Sequence, residues 1–199
     1  MAVPSAPKRT GRAAEWDARF RAGDHSGPDL DPFLVSAQDA LVLLAPGSTA
    51  LDLACGAGRH AVWLAQQGFR VTAVDFSGEA LAKTRSLARR HGVTLECRRM
   101  DLESPSLDLG AYDLICGFFF LHRPLFPLLR EALRPGGLLI YKTYTTDRLR
   151  SPGGPRNPRH LLKPNELLRF AEGLRVLRYE EGPGTAAIVA QKPETACIL

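Results

Sequence analysis

Little in this chain commits it to a special class. Its 199 residues include four cysteines, Cys55, Cys97, Cys116 and Cys197, each isolated from the others. Such spacing offers neither a paired zinc site nor a disulfide framework, so reduced thiols and a cytoplasmic setting are expected, with no metal. The terminal Cys-Ile-Leu holds its cysteine third from the end, which misses the prenylation pattern. Long apolar runs are absent too: the longest, Leu114 to Leu121, is far short of the roughly 20 residues that span a bilayer. No membrane partner is expected. Lys8, Arg9 and Arg12 are followed by no hydrophobic segment, so an ordinary secretory signal is not expected, while a short transit-like segment stays open. Residues 1–13 contain no acid and no apolar stretch and read as a flexible tail. Repeats and low-complexity tracts are missing as well. With 45% hydrophobic and 24% charged residues, positions 14–199 have the length and composition of a single globular domain.

What is present centres on residues 49–77, TALDLACGAGRHAVWLAQQGFRVTAVDFS. Ala50, Leu51, Leu53 and Ala54 surround Asp52 in an apolar run too short for a helix, as in a buried parallel strand. Gly56 and Gly58 then remove side chains where the backbone must turn sharply and approach a ligand. From Arg59 the spacing of Ala61, Val62, Leu64 and Ala65 is helical, and Gly68 can end that helix. Phe69 to Val74 form a second strand with Asp75 at its carboxyl end. In a doubly wound sheet the strand carboxyl ends line one crevice, so the glycine turn and Asp75 face the same ligand.

Gly56-x-Gly58-x-x-Ala61, with Asp75 lying 19 residues after Gly56, also satisfies the relaxed dinucleotide fingerprint. Asp52 argues otherwise, because a carboxylate beside a pyrophosphate is repulsive, whereas it suits a cofactor with a cationic amino-acid end. Asp52-Leu-Ala-Cys-Gly56-Ala-Gly58 resembles the first motif of the class I S-adenosylmethionine-dependent methyltransferases. Within that superfamily LDLACGAGRHAVWLAQQGFRVTAVDFS is similar to the small tellurite-resistance and thiopurine type. The resemblance implies an α/β, Rossmann-like, doubly wound and mostly parallel seven-stranded sheet with an antiparallel last strand. It also implies S-adenosylmethionine as cofactor: Asp52 with Ala54, Gly56 and Gly58 at the methionine end, Asp75 at the ribose, and Asp101 with Leu102 at the adenine. Phe76 and Phe118 are candidates for packing on the ring. Trp16 and Arg21, in a helical stretch over 16–24 that covers the crevice, are candidate contacts from above. For Trp16 the alternative is a core anchor, and for Asp101 a turn cap.

The remaining chain alternates strand and helix. Residues 33–44 have helical spacing, and 78–91 form a helix with Ala80, Leu81, Thr84, Leu87 and Ala88 inward. Strands are expected over 93–98, 112–117 and 138–143, the last preceded by the breaker cluster Arg134-Pro-Gly-Gly137. A short helix over 164–171 and two antiparallel strands, 174–179 and 186–191, complete the chain. The Leu-Arg-Pro-Gly-Gly turn and the segment LLKPNELLRF extend the resemblance nearly to the end.

An electrophilic sulfonium methyl needs an aligned acceptor and exclusion of water more than a dedicated nucleophile. His122 is the nearest candidate catalytic base, against an ordinary hydrogen-bonding role. Cys55 and Cys116 fall near the crevice, where thiol chemistry with a metalloid is the minor alternative to small buried residues. After the fourth strand the chain has Gly117-Phe-Phe-Phe-Leu-His122 in place of the Asn/Asp-Pro-Pro-Tyr/Phe of related amine methylases. Net charge is +5, and most of the excess lies in the tail and in residues 142–163, which argues against a basic nucleic-acid face. That second stretch is rich in Pro and Gly and carries Lys142, Arg148, Arg150, Arg156, Arg159 and Lys163 against Asp147. It reads as a loop crossing the crevice, with Tyr144, Arg156 and Arg159 as substrate-binding candidates for a small, anionic acceptor. A thiol, chalcogen oxyanion or hydroxyl acceptor is expected, the alternatives being an RNA or protein methyltransferase and a nicotinamide oxidoreductase. Oligomeric state is not legible.

Overall fold

The computed structural model describes residues 9–23, 27, 29–104, 108–150 and 152–194. Lys8, Asp24 and Cys197 lie outside the described residues. Seven strands form one sheet: β1 (Thr49–Leu53), β2 (Arg70–Asp75), β3 (Glu96–Arg99), β4 (Tyr112–Phe118), β5 (Leu133–Tyr144), β6 (Arg175–Gly182) and β7 (Thr185–Gln191). Their order is β3-β2-β1-β4-β5-β7-β6, and β7 runs antiparallel to both neighbours while the other pairings are parallel. The order reverses between β1 and β4, which opens a crevice at their carboxyl ends.

Alternating side chains send each strand to two cores. Leu51, Leu53, Ile115, Leu139, Tyr141 and Ile188 pack with α6 (Leu125–Ala132) and α7 (Glu166–Phe170). Ala50, Ala73, Leu114, Cys116, Ile140 and Val189 pack with α2 (Pro32–Ser36), α3 (Gln38–Leu41), α4 (Arg59–Gln66) and α5 (Gly78–Arg90). Burial on both faces is why β1 and β4 are mainly apolar apart from Asp52 and Asp113.

Several expectations need correction. Helix α1 (Arg9–Ala22) begins inside the stretch read as a tail, and its Arg12 pairs with Glu103. Residues 33–44 are two short helices rather than one, with Asp31 accepting from the Phe33 N–H at the start of α2 and Pro32 in its first turn. Leu87 is only half-buried. Arg134-Pro-Gly-Gly137 does not precede a strand but sits within β5, where the pairing with β4 jumps from Tyr112–Leu133 to Leu114–Leu138. Gly137 is needed there, since a Cβ would lie 2.8 Å from the Arg134 carbonyl oxygen. Helix α6, LFPLLREA, had no counterpart in the sequence reading; its Pro127 is tolerated because it falls in the first turn.

Candidate cofactor and acceptor site

The glycine turn leaves β1 through three left-handed residues, Ala54 (φ 51°), Gly56 (φ 57°) and Gly58 (φ 84°). The Cys55 N–H donates to the Val74 carbonyl and the Gly58 N–H to the Cys55 carbonyl, closing the turn before α4. A Cβ at Gly58 would come within 2.5 Å of the Thr84 side chain on α5, so contact between helices requires glycine. At Gly56 only Phe20 is near, at an ordinary 3.5 Å, and backbone conformation is the constraint.

Two carboxylates flank the turn. Asp52 is buried in β1, and its Oδ2 has no hydrogen-bond partner. Burial, with Asp75 nearby, pushes its pKa up to about 7. Asp75 accepts from the Gly56 N–H at 3.0 Å and the Ser77 N–H at 2.9 Å, and burial raises its pKa. Asp75 thereby ties the glycine turn to the start of α5.

Helix α1 covers this region. Asp17 forms a short hydrogen bond with the Ser77 hydroxyl and accepts from the Glu79 N–H at 3.3 Å. Arg21 donates to Glu79 at 2.9 Å, so this exposed cation is engaged on α5. Trp16 is partly buried and lies 6.0 Å from Phe20 between ring centroids, while Arg19 stands over its indole. Phe20, which sequence reasoning passed over, is the buried anchor of α1 at 3% exposure.

After β3, the Asp101 carboxylate accepts from the Glu103 N–H at 3.0 Å, the turn-capping alternative. Leu102 is buried in the α6–α7 core, so only its backbone can meet a ligand. The Phe76 carbonyl accepts from Arg99 and its side chain is partly exposed. Phe118, the other candidate for packing on the ring, is buried against His60 with ring centroids 4.4 Å apart. His122 is half-buried before α6. The chain after His160 returns beside β5, where Thr145 bridges Leu162 and the Leu162 N–H donates to the Tyr144 carbonyl.

Within residues 142–163 the cations have different fates. Lys142 donates to both oxygens of buried Asp31, at 2.9 and 3.0 Å. Asp31 also donates its own N–H to His60 Nε2 at 3.2 Å, which assigns the proton to Nδ1; burial lowers the His60 pKa to about 4. This Asp31–His60–Lys142 cluster was missed, because 111 residues separate its ion pair. Arg156 is exposed and donates to the Leu149 carbonyl, and exposed Arg159 offers its carbonyl to Arg123. Tyr144 meets Phe119 at 4.9 Å. Cys55 and Cys116 are buried, and burial raises both thiol pKa values well above normal, as small interior residues rather than nucleophiles. Among the described residues, no group of His, Cys, Asp or Glu could hold a metal, and no helix is long and apolar enough to cross a membrane.

Sheet order and reversed seventh strand give the chain the fold of the class I S-adenosylmethionine-dependent methyltransferases, with a glycine turn set between two carboxylates, and the chain is similar to that class. Residues 50–137 match the family model described as "Methyltransferase domain". Hemagglutinin 1 of Eikenella corrodens is 30% identical over 161 residues, 74% of this chain and 50% of that protein. Ubiquinone biosynthesis O-methyltransferase of Sodalis glossinidius is 28% identical over 140 residues, 66% of this chain and 55% of that protein. The chain spans about half the length of the curated relatives it matches. Its fold is similar to TehB from Haemophilus influenzae, with a TM-score of 0.70, 18% identity and coverage of 88% of this chain and 67% of that one.

Proposed function

We propose that this chain transfers the methyl group of S-adenosylmethionine to a small-molecule acceptor with a thiol, hydroxyl or chalcogen oxyanion as the nucleophile. The observation that carries this reading is the buried Asp52 with its unpartnered Oδ2 beneath the glycine turn. A buried acceptor oxygen without a donor is costly, and an ammonium group satisfies it where a pyrophosphate would repel it. The residues present therefore fit the cofactor: Asp52 and the turn at 56–58 for its amino-acid end, Asp75 for the ribose, and the backbone at 101–102 for the adenine. When bound, it supplies an electrophilic methyl: the acceptor's lone pair forms the new bond as the methyl–sulfur bond breaks, sulfur keeps that pair, and the acceptor's proton passes to water or a base.

The protein's part is orientation and exclusion of water. Helix α1 and residues 142–163 cover the crevice, and His122 is the side chain proposed as base. Arg156 and Arg159 are proposed to favour an anionic acceptor from the covering loop. The test is calorimetry with S-adenosylhomocysteine, NAD and NADP, followed by transfer of radiolabelled methyl to small acceptors and to cell RNA. Binding of the first alone, with label on small acceptors, is expected. NADP binding without S-adenosylhomocysteine binding, or label only on RNA or protein, overturns the proposal.

A further inference from the structure

Phe119 stands directly after β4 in a left-handed conformation (φ 58°) and is 37% exposed. For a bulky residue without glycine's freedom this conformation is strained, and it persists only where the surroundings enforce it. Strand β5 supplies that enforcement from both sides. The Phe119 N–H donates to the Lys142 carbonyl at 2.8 Å. One residue on, the Phe120 carbonyl accepts from the buried Tyr141 hydroxyl at 2.7 Å. Tyr141 reaches it only because position 117 is glycine, where a Cβ would lie 2.3 Å from its ring. Strain, an exposed phenyl ring and two clamps thus coincide on the crevice side of the sheet, two residues past the β1 partner Gly117.

The ring is not alone. Tyr144, at the end of β5, lies 4.9 Å away with the planes tilted by 37°, so neither ring covers the other's face completely. Arg148 stands 6.0 Å from the Tyr144 centroid. Its side chain is packed between Gly154 and Gly184, where Cβ atoms would come within 2.7 and 3.2 Å, and it donates to the Pro152 carbonyl. Lys142, already paired with Asp31, is 5.8 Å from the Phe119 centroid.

We infer that Phe119 and Tyr144 form an aromatic platform that selects a planar aromatic acceptor, with Arg148 receiving its ionised oxygen-bearing substituent. Offset rings attract through their quadrupoles, and a guanidinium recognises an oxyanion through paired donors. A phenolate oxygen on that ring forms the bond to the methyl group, sulfur keeping the electron pair of the broken bond. This inference rests on the methyl-transfer reading above. The test measures methylation of 3,4-dihydroxybenzoate against 2-mercaptoethanol and selenite, with S-adenosylhomocysteine affinity measured separately. Phe119→Gly, which removes ring and strain together, is expected to keep or raise the melting temperature and to raise KM for 3,4-dihydroxybenzoate about tenfold or more. Cofactor affinity stays unchanged, and Phe119→Tyr restores the KM. Wild-type kinetics in Phe119→Gly, or a loss of melting temperature with intact acceptor kinetics, overturns the platform. So does transfer to mercaptoethanol or selenite but not to the aromatic acid, which leaves methyl transfer itself standing. Absence of S-adenosylhomocysteine binding fails both.

Discussion

At the scale of single residues, the two carboxylates beside the glycine turn make opposite demands. Asp52 is an acid whose folded pKa, about 7, lies above its ordinary 3.8. It binds a proton more tightly folded than unfolded, so it supports the fold below 3.8 and that support is lost as pH rises through about 7. An ammonium partner prefers the ionised form. Affinity for S-adenosylhomocysteine is therefore expected to strengthen from pH 6 to about pH 8, while unliganded stability falls over the same range. In Asp52→Asn both trends should flatten, and calorimetry across pH with parallel thermal melts measures them; an unchanged pH profile in the variant removes Asp52 from this role. Asp75 behaves differently because it already accepts two backbone N–H groups. Asp75→Ala should weaken S-adenosylhomocysteine at least about tenfold through the lost ribose bonds. It should also cost about 1–3 kcal/mol of stability, since the Gly56 and Ser77 donors lose their acceptor. Urea unfolding and calorimetry separate the two effects, and undiminished affinity in the folded variant would mean that Asp75 does not meet the ribose.

At the scale of elements, most of the sheet was legible because burial on both faces leaves β1, β4 and β7 composed mainly of small and apolar residues. The glycine turn was legible because left-handed backbone and contact between helices both restrict the residue type. What escaped reading depends on partners distant in sequence. Helix α1 gains its early start with Arg12 held by Glu103, 91 positions away. Three consecutive phenylalanines hide which ring is exposed, since the left-handed turn at Phe119 breaks the alternation that a strand would impose. The β5 bulge absorbs Pro135 and two glycines that look like a loop. Lys142 looked like one more loop cation, yet its side chain and that of Asp31 are only 18% and 5% exposed. Breaking such a pair leaves a buried charge, so Lys142→Met should destabilise by about 3 kcal/mol, and adding Asp31→Asn should recover part of it. Chemical denaturation of the single and double variants tests this. A loss under about 1 kcal/mol in the single variant would place the pair with weak surface bridges.

At the scale of the whole molecule, positive charge is concentrated in residues 142–163, and the described side chains there are unequally free. Lys142 is held by Asp31 and Arg148 by its glycine cradle, whereas Arg156 and Arg159 are exposed. Exposed cations act through a field that salt screens over about 8 Å at physiological ionic strength. A small anionic acceptor should therefore show a KM that rises with added salt, while S-adenosylhomocysteine affinity, set by the buried carboxylates, moves little. Arg156→Ala with Arg159→Ala should raise that KM severalfold at low salt and converge on wild type at high salt, with kcat nearly unchanged. An extended polyanion behaves otherwise, because each phosphate contact adds close to one unit to the slope of log affinity against log salt. Competition by cell RNA is expected to be weak and to vanish near physiological salt. RNA inhibition that persists there, with a slope of about four or more and label recovered on the polymer, would show that these cations serve a nucleic acid instead.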